Sequence, residues 1–210
     1  MTQTTQQAPV VRSAAEDRRQ ARIEGAQRFV EALRRLDRGQ QAALRRNAGE
    51  SLATARGMTW FYGLLSKFGV IGERNEDTYL LFAGLFCHDR RALRNGGSAE
   101  GNLGDSFEAL WRASKRPTEG EADKPKSGIA RRFAILLDAD LAGKESFRLR
   151  QAVKLLLSQG VDIPWPVLLV DLQEWNWASR SVQKAWARSF YRLPDSSTQE
   201  SDKKGEDYAD

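Results

Sequence analysis

Cys87 and His88 are the only cysteine and the only histidine in 210 residues, so any thiolate–imidazole chemistry in this chain falls to two adjacent positions. Neighbours on a helix point about 100° apart, which orients such a pair poorly for proton transfer. The spacing reads instead as a buried thiol beside an exposed imidazole at a helix end. Glu73, Glu76 and Asp77 imitate a carboxylate site, but without a histidine partner they read as charges favouring a helix N-terminus through its dipole. Gly143 and Lys144 run into Glu145 and lack the earlier glycine of a phosphate loop, while Gly96, Gly97, Gly101 and Gly104 match no dinucleotide fingerprint and read as a flexible turn. No catalytic set, metal site or cofactor motif is left. One cysteine builds neither an intramolecular disulfide nor a cysteine-based zinc site, and its isolation points to a reducing, cytoplasmic compartment.

What remains are cations. The formal net charge is +5, yet residues 194–210 carry six acids against Lys203 and Lys204, so a segment of −4 leaves +9 on the rest. Clustered Lys and Arg gain free energy from counterion release when they meet phosphates. Arg45 and Arg46 follow Arg34, Arg35 and Arg38 over one helix–turn–helix. Arg150 and Lys154 lie one turn apart at one edge of an apolar stripe, Arg148 lies at the other edge, and Arg131 with Arg132 opens the stretch RRFAILL. Near the end, Lys184, Arg188 and Arg192 are four residues apart beside Tyr191. The plainer account of any one of these is an aliphatic stem laid over the core with its head in water; several on adjoining helices would make a continuous basic groove.

The elements that must position them are helical. The apolar period is three and four residues almost throughout, with no β-hairpin signature and no internal repeat. The stripes run through Phe29, Leu33 and Leu36; through Leu52, Trp60, Phe61, Leu64, Leu65 and Phe68; and through Tyr79, Phe82, Leu85 and Phe86. They continue through Leu103, Phe107, Leu110 and Trp111, then Ile129, Phe133, Leu136, Leu137 and Leu141, then Leu149, Val153 and Leu156. Asp37 with Gln40 forms a capping box, Asp77 or Thr78, Asn102 and Ser127 read as caps, and Gly49, Gly69, Gly72 and Gly160 as stops. Pro164 and Pro166 fit a first turn. Two tryptophan-bearing helices close the chain, with Trp165, Leu168, Leu169, Leu172 and Trp175 on one stripe and Val182, Trp186, Phe190 and Leu193 on the other. Five of the six tryptophans thus sit on core stripes rather than on a base-stacking platform, and Trp177 falls off the stripe.

The expected organisation is an all-α, compact multi-helix bundle over residues 25–193, with a mobile polar loop at 113–128. A flexible N-terminal arm over 1–24 and an acidic, disordered tail over 194–210 flank it. The N-terminus lacks an apolar signal core, and the longest apolar stretch, Tyr79 to Cys87, is far short of the roughly 20 residues that span a bilayer, so no membrane is expected.

Taken in order, FVEALRRLDRGQQAALRRNAG, FYGLL, YLLFAGLFCHD, RRFAILLDADL, RLRQAVKLLLSQGVDIPWPVLLVDL and VQKAWARSFY resemble the CasB family, the small subunit of the type I-E CRISPR Cascade complex. The resemblance covers about Gln27 to Leu193. It implies an all-helical protein without enzymatic activity or cofactor, present in two copies beside the crRNA-backbone subunits and the large subunit. There it would help hold crRNA and target DNA and stabilise the displaced strand. It places the family's basic contacts on Arg45, Arg46, Arg131, Arg132, Arg148, Arg150 and Lys154; Lys184 and Arg188 join them from the charge pattern of the last helix. GNLGDSFEAL, with Asp105 and Glu108, departs from the basic, glycine-containing segment expected there. A stand-alone helical adaptor for acidic proteins is the competing class, and it would show little salt-dependent affinity for single-stranded DNA.

Overall fold

A computed structural model describes residues 14–72, 75–97, 99–115, 120–141 and 145–192. Glu73, Gly143, Lys144, Leu193 and the acidic segment 194–210 lie outside the described residues. Among those described there are ten α-helices, one 3-10 helix and no β-strand.

The arrangement is one of helix pairs around a central helix. α1 (Ala14–Arg34) lies along α9 (Trp165–Glu174), α2 (Arg38–Asn47) against α4 (Glu76–Phe86), α6 (Leu103–Ser114) against α10 (Ser181–Tyr191), and α7 (Gly128–Leu137) against α8 (Ser146–Ser158). α4 touches α2, α8 and α9, and every residue from Leu80 to Phe86 is buried. A helix apolar all round can only be stable at the centre of the packing. α3 (Thr59–Ser66) and α5 (Arg90–Asn95) are shorter elements beside it.

Two close crossings hold the pairs. A Cβ on Gly84 would lie 2.7 Å from the Leu44 carbonyl and against the Ala48 methyl, so α2 and α4 meet only because residue 84 has no side chain. Gly104 does the same for α6 against the backbone of Trp186 in α10. Aromatic rings fill the spaces between: Trp165 meets Phe82 and Phe86 edge-on at 5.8 and 5.4 Å, and Phe133 lies 4.9 Å from Phe107 and 4.7 Å from Phe190. Trp111, Trp165, Trp175 and Trp186 are buried, whereas Trp177 is 53% exposed. Trp60 is only half-buried, its indole N–H donating to the Gly57 carbonyl at 3.1 Å.

The capping signals at Asp37, Asn102 and Ser127 form as the sequence reads. α4 differs: it starts at Glu76, and Asp77, inside the first turn, accepts from the Leu52 amide at 2.7 Å and the Ser51 hydroxyl at 3.3 Å. Leu52 itself sits in a turn, because the helix carrying Trp60 begins only at Thr59.

Helix also extends into the segment read as an arm. α1 begins at Ala14, where no apolar stripe predicts it. The cause is electrostatic. Arg19 reaches Asp171 at 2.6 Å and Glu174 at 3.2 Å, and Arg22 pairs with Glu174 and donates to Gln173 at 2.8 Å. Asp171 and Glu174 are buried carboxylates of α9, and a buried charge demands a partner. Part of the segment read as a mobile loop is likewise built: Glu121–Lys126 is a 3-10 helix. Within it the buried Lys124 ammonium sits 4.6 Å from the Trp111 ring centre, 5.1 Å from that of Phe190 and 3.7 Å from Glu108. Residues 116–119 lie outside the described residues.

Candidate nucleic-acid interface

The arginines divide by what they touch. Arg19, Arg22, Arg34, Arg35, Arg91, Arg112, Arg180 and Arg192 are all paired with carboxylates of this chain. By contrast, Arg46, Arg131, Arg132, Lys154, Lys184 and Arg188 are exposed, with no side-chain hydrogen bond or ion pair to any described residue. Three more of the expected set are anchored in place. Arg45 donates to the Cys87 carbonyl at 3.2 Å, Arg150 to the Ala48 carbonyl at 2.9 Å, and Arg148 to Glu145 at 3.2 Å.

α8 positions most of them and presents two basic faces. On one side Arg150 and Lys154, a turn apart, look toward the ends of α2 and α4. The C-terminal carbonyls of a helix carry partial negative charge, and Arg150 satisfies one of them at Ala48, just past α2. The same contact leaves no room for a side chain on Gly49, whose Cβ would stand 3.2 Å from the Arg150 guanidinium and whose φ is +90°. Arg45 enters from α2, and His88, just past the end of α4, feels the charges of both Arg45 and Lys154. Desolvation, followed by the charges of Arg45 and Lys154, holds its imidazole below the usual histidine pKa. Burial pushes the neighbouring Cys87 thiol up to about 12 against the opposing pull of Arg45, so it stays protonated. Sequence reading set His88 aside as a helix-end residue; only the packing of α8 beside α4 brings it into a basic cluster, and no local signal carries that.

On its other side α8 makes a groove with α7, about 320 Å³ in volume. Phe107, Leu136, Ala152 and Leu155 supply apolar walls, and Arg132 and Arg148 stand over them. Glu145, whose carboxyl is held below its ordinary range by the Asp140 amide and then by Arg148, keeps that arginine in position. Gln151, also at this groove, is a polar neighbour the charge pattern did not single out. Arg131 is exposed on α7, and Lys184 and Arg188 are exposed on α10, which packs on α6 and α9; none of these three shares the α8 clusters. Arg192 and Asp105 are 3.8 Å apart, and Asp105 completes the α6 capping box, so the acids of GNLGDSFEAL serve the fold.

Among the described residues no group of His, Cys, Asp and Glu gathers as a metal site, and no helix is long and apolar enough to cross a membrane. The arrangement is suited to holding a polyanion at several points by charge.

A family model described as "CRISPR-associated protein Cse2" matches residues 40–191. Similar solved structures include CasB of M. ruber, 31% identical, with a TM-score of 0.65 and coverage of 80% of this chain and 93% of that one. CasB from Thermus thermophilus is 26% identical, with a TM-score of 0.58, covering 81% of this chain and 98% of that one. A chain of a CRISPR RNA-guided surveillance complex shares the fold at 20% identity, with a TM-score of 0.61 and coverage of 81% and 94%. No curated protein matches by sequence.

Proposed function

The chain belongs to the CRISPR-associated Cse2 family, also named CasB, and from that premise we propose that it is a non-catalytic small subunit of a type I-E CRISPR surveillance complex, Cascade. In this role it grips crRNA and target DNA by their phosphates and stabilises the R-loop in antiviral defence. Its partners are the crRNA-backbone subunits, the large subunit and a second copy of itself; it needs no cofactor and works in the cytoplasm. Sequence choice belongs to base pairing with the guide, and the protein holds the backbone.

The observation that supports this reading is the gathering of cations on both sides of α8, with Arg45, Arg150 and Lys154 around His88 and the end of α2, and Arg132 and Arg148 over the groove with α7. Arg45, Arg148 and Arg150 reinforce it, being fixed by neighbours while still charged.

The test is affinity for a single-stranded oligonucleotide as a function of salt. Log affinity falls with log salt by about 0.7 per phosphate neutralised. Joint substitution of Arg46, Arg131, Arg132 and Lys154 by Gln should shallow that slope by up to about 3, leave the melting temperature in place and shorten R-loop lifetime in the reconstituted complex. An unchanged slope and lifetime, with incorporation confirmed, would overturn the assignment; binding of acidic proteins without salt-dependent nucleic-acid binding would favour the adaptor.

A further inference from the structure

We infer that the cleft walled by α1, α4 and α9, with Lys67 and Phe68 just past α3 completing it, is a nucleotide site: one planar base lies against Phe68 and Tyr79 while its phosphate meets Arg28 and Lys67. The cleft shares no residue with the basic clusters of α8. Its use on a strand rests on the function proposed above; the binding of a nucleotide unit does not.

The space is of the right kind. It measures about 500 Å³, inside the roughly 300–1,000 Å³ of small-molecule sites. On the α1 side Gly25 and Ala26 keep the wall low; residue 25 has no side chain, and the nearest atom a Cβ there would meet is a guanidinium nitrogen of Arg28, 3.8 Å off. Phe68 and Tyr79 are only partly buried. Both rings stand nearly perpendicular to that of the buried Phe29, at 5.1 and 4.9 Å between centres, which fixes them from the core side. Gln173 fixes Tyr79 further: its amide NH2 donates to the tyrosine hydroxyl at 2.8 Å while its amide oxygen accepts from Arg22 at 2.8 Å. Arg22 is in turn paired with Glu174, so it orients the cleft rather than adding free charge to it. Rings held in place beforehand lose little entropy on binding.

The charge comes from Arg28 and Lys67. They stand on separate elements, are exposed, and make no side-chain hydrogen bond or ion pair to a described residue. Cations beside two aromatic rings select among ligands. A bare phosphate would leave Phe68 and Tyr79 in water, and an apolar molecule would leave the cations without a partner. A nucleotide uses both, since every base has a π-face to stack and every unit carries a phosphate. The contact is therefore with the base as well as the backbone, and it tolerates any sequence. Arg22, Gly25 and Arg28 all precede residue 40, where the match to the family model begins, so the cleft is built with a helix that the matched region does not include.

The experiment irradiates the full chain with two probes carrying 5-iodouracil, a base that couples to an aromatic ring stacked on it: a single-stranded oligonucleotide and the free 5′-monophosphate. Coupled peptides are identified by mass spectrometry. The expected result is coupling at Phe68 or Tyr79. It should fall by about fivefold or more, the size of one lost base-stacking contact, in Gly25→Leu, which fills the cleft, and fall likewise in Arg28→Gln/Lys67→Gln, which leaves the packing alone. With the monophosphate probe, Gly25→Ala and Arg132→Gln/Arg148→Gln should leave the yield unchanged. Coupling from the oligonucleotide alone assigns the cleft to a strand, and coupling from both probes assigns it to nucleotides generally.

No coupling at Phe68 or Tyr79 from either probe, or coupling that persists undiminished in Gly25→Leu, would overturn the site; salt-dependent oligonucleotide binding alongside that result would leave the proposed function standing. Coupling that responds to the cleft variants, together with R-loop lifetimes indifferent to the α8 cations, would support the site while the proposed function falls.

Discussion

The indole N–H of Trp186 donates to Asp171 at 2.6 Å, and the other oxygen of the same carboxylate accepts from Arg19 at 2.6 Å. One buried acid of α9 thus ties the last helix to the first. Removing one member of a buried charged set leaves the others unpaired. Asp171→Ala should therefore lower stability by about 3 kcal/mol, with the loss moderated because Arg19 remains 39% exposed. Chemical denaturation measures it.

Burial raises the pKa of Asp171, more than its hydrogen bonds to Arg19 and Trp186 lower it. The folded state then holds the Asp171 proton more tightly than the unfolded chain does, so this group makes stability fall as pH rises from ~4 through the folded pKa. Urea midpoints across acidic pH should show that component in the wild type, and Asp171→Asn should lack it.

Trp186 is fully buried against Trp175, ring centres 4.9 Å apart. Trp186→Ala should cost about 3–5 kcal/mol, whereas the same change at the exposed Trp177 should stay within about 0.5 kcal/mol. Thermal melts of the two variants, together with acrylamide quenching of the tryptophans, distinguish core from surface.

Gly84→Ala and Gly104→Ala each push a methyl into a neighbouring helix backbone. Overpacking of that kind costs typically about 1–3 kcal/mol. Gly63→Ala, whose Cβ meets nothing within 4 Å, should be neutral or stabilising because alanine favours helix over glycine. Comparing the three melting temperatures checks the crossings.

His88 has a lowered pKa, so the folded protein binds fewer protons there than the unfolded chain; stability present above ~6.5 is lost as pH falls through that value toward the folded pKa. A phosphate beside Arg45 and Lys154 would reverse the penalty on protonation. Oligonucleotide affinity should accordingly rise between pH 7.5 and pH 5.5, and the rise should be smaller in His88→Gln. Parallel titrations of the two proteins measure it.

The helical architecture was legible because its signals are local: the capping boxes at Asp37 and Asn102, and the apolar stripes that carry Phe107, Phe133 and Phe190 within their own helices, depend on neighbours a few residues away. The helix from Ala14 was not, since it is held by acids more than 150 positions distant, and 14–20 has no apolar stripe of its own. Asp171, an acid within VLLVDL, was the available hint that a buried cation partner had to come from somewhere. Arginine density found the basic helices but not which cations were already engaged: Arg34 and Arg46 look alike in sequence, yet the first bonds Glu31 and the Leu93 and Arg94 carbonyls while the second reaches open water.

That contrast between engaged and open cations bears on how the protein changes over generations. Arg46, Arg131, Arg132, Lys154, Lys184 and Arg188 make no side-chain hydrogen bond or ion pair to a described residue, so Arg and Lys can interchange there with little consequence for folding. Arg19 and Asp171 have no such liberty and must vary together. Selection can retune the grip of the surface while the bundle beneath it stands still.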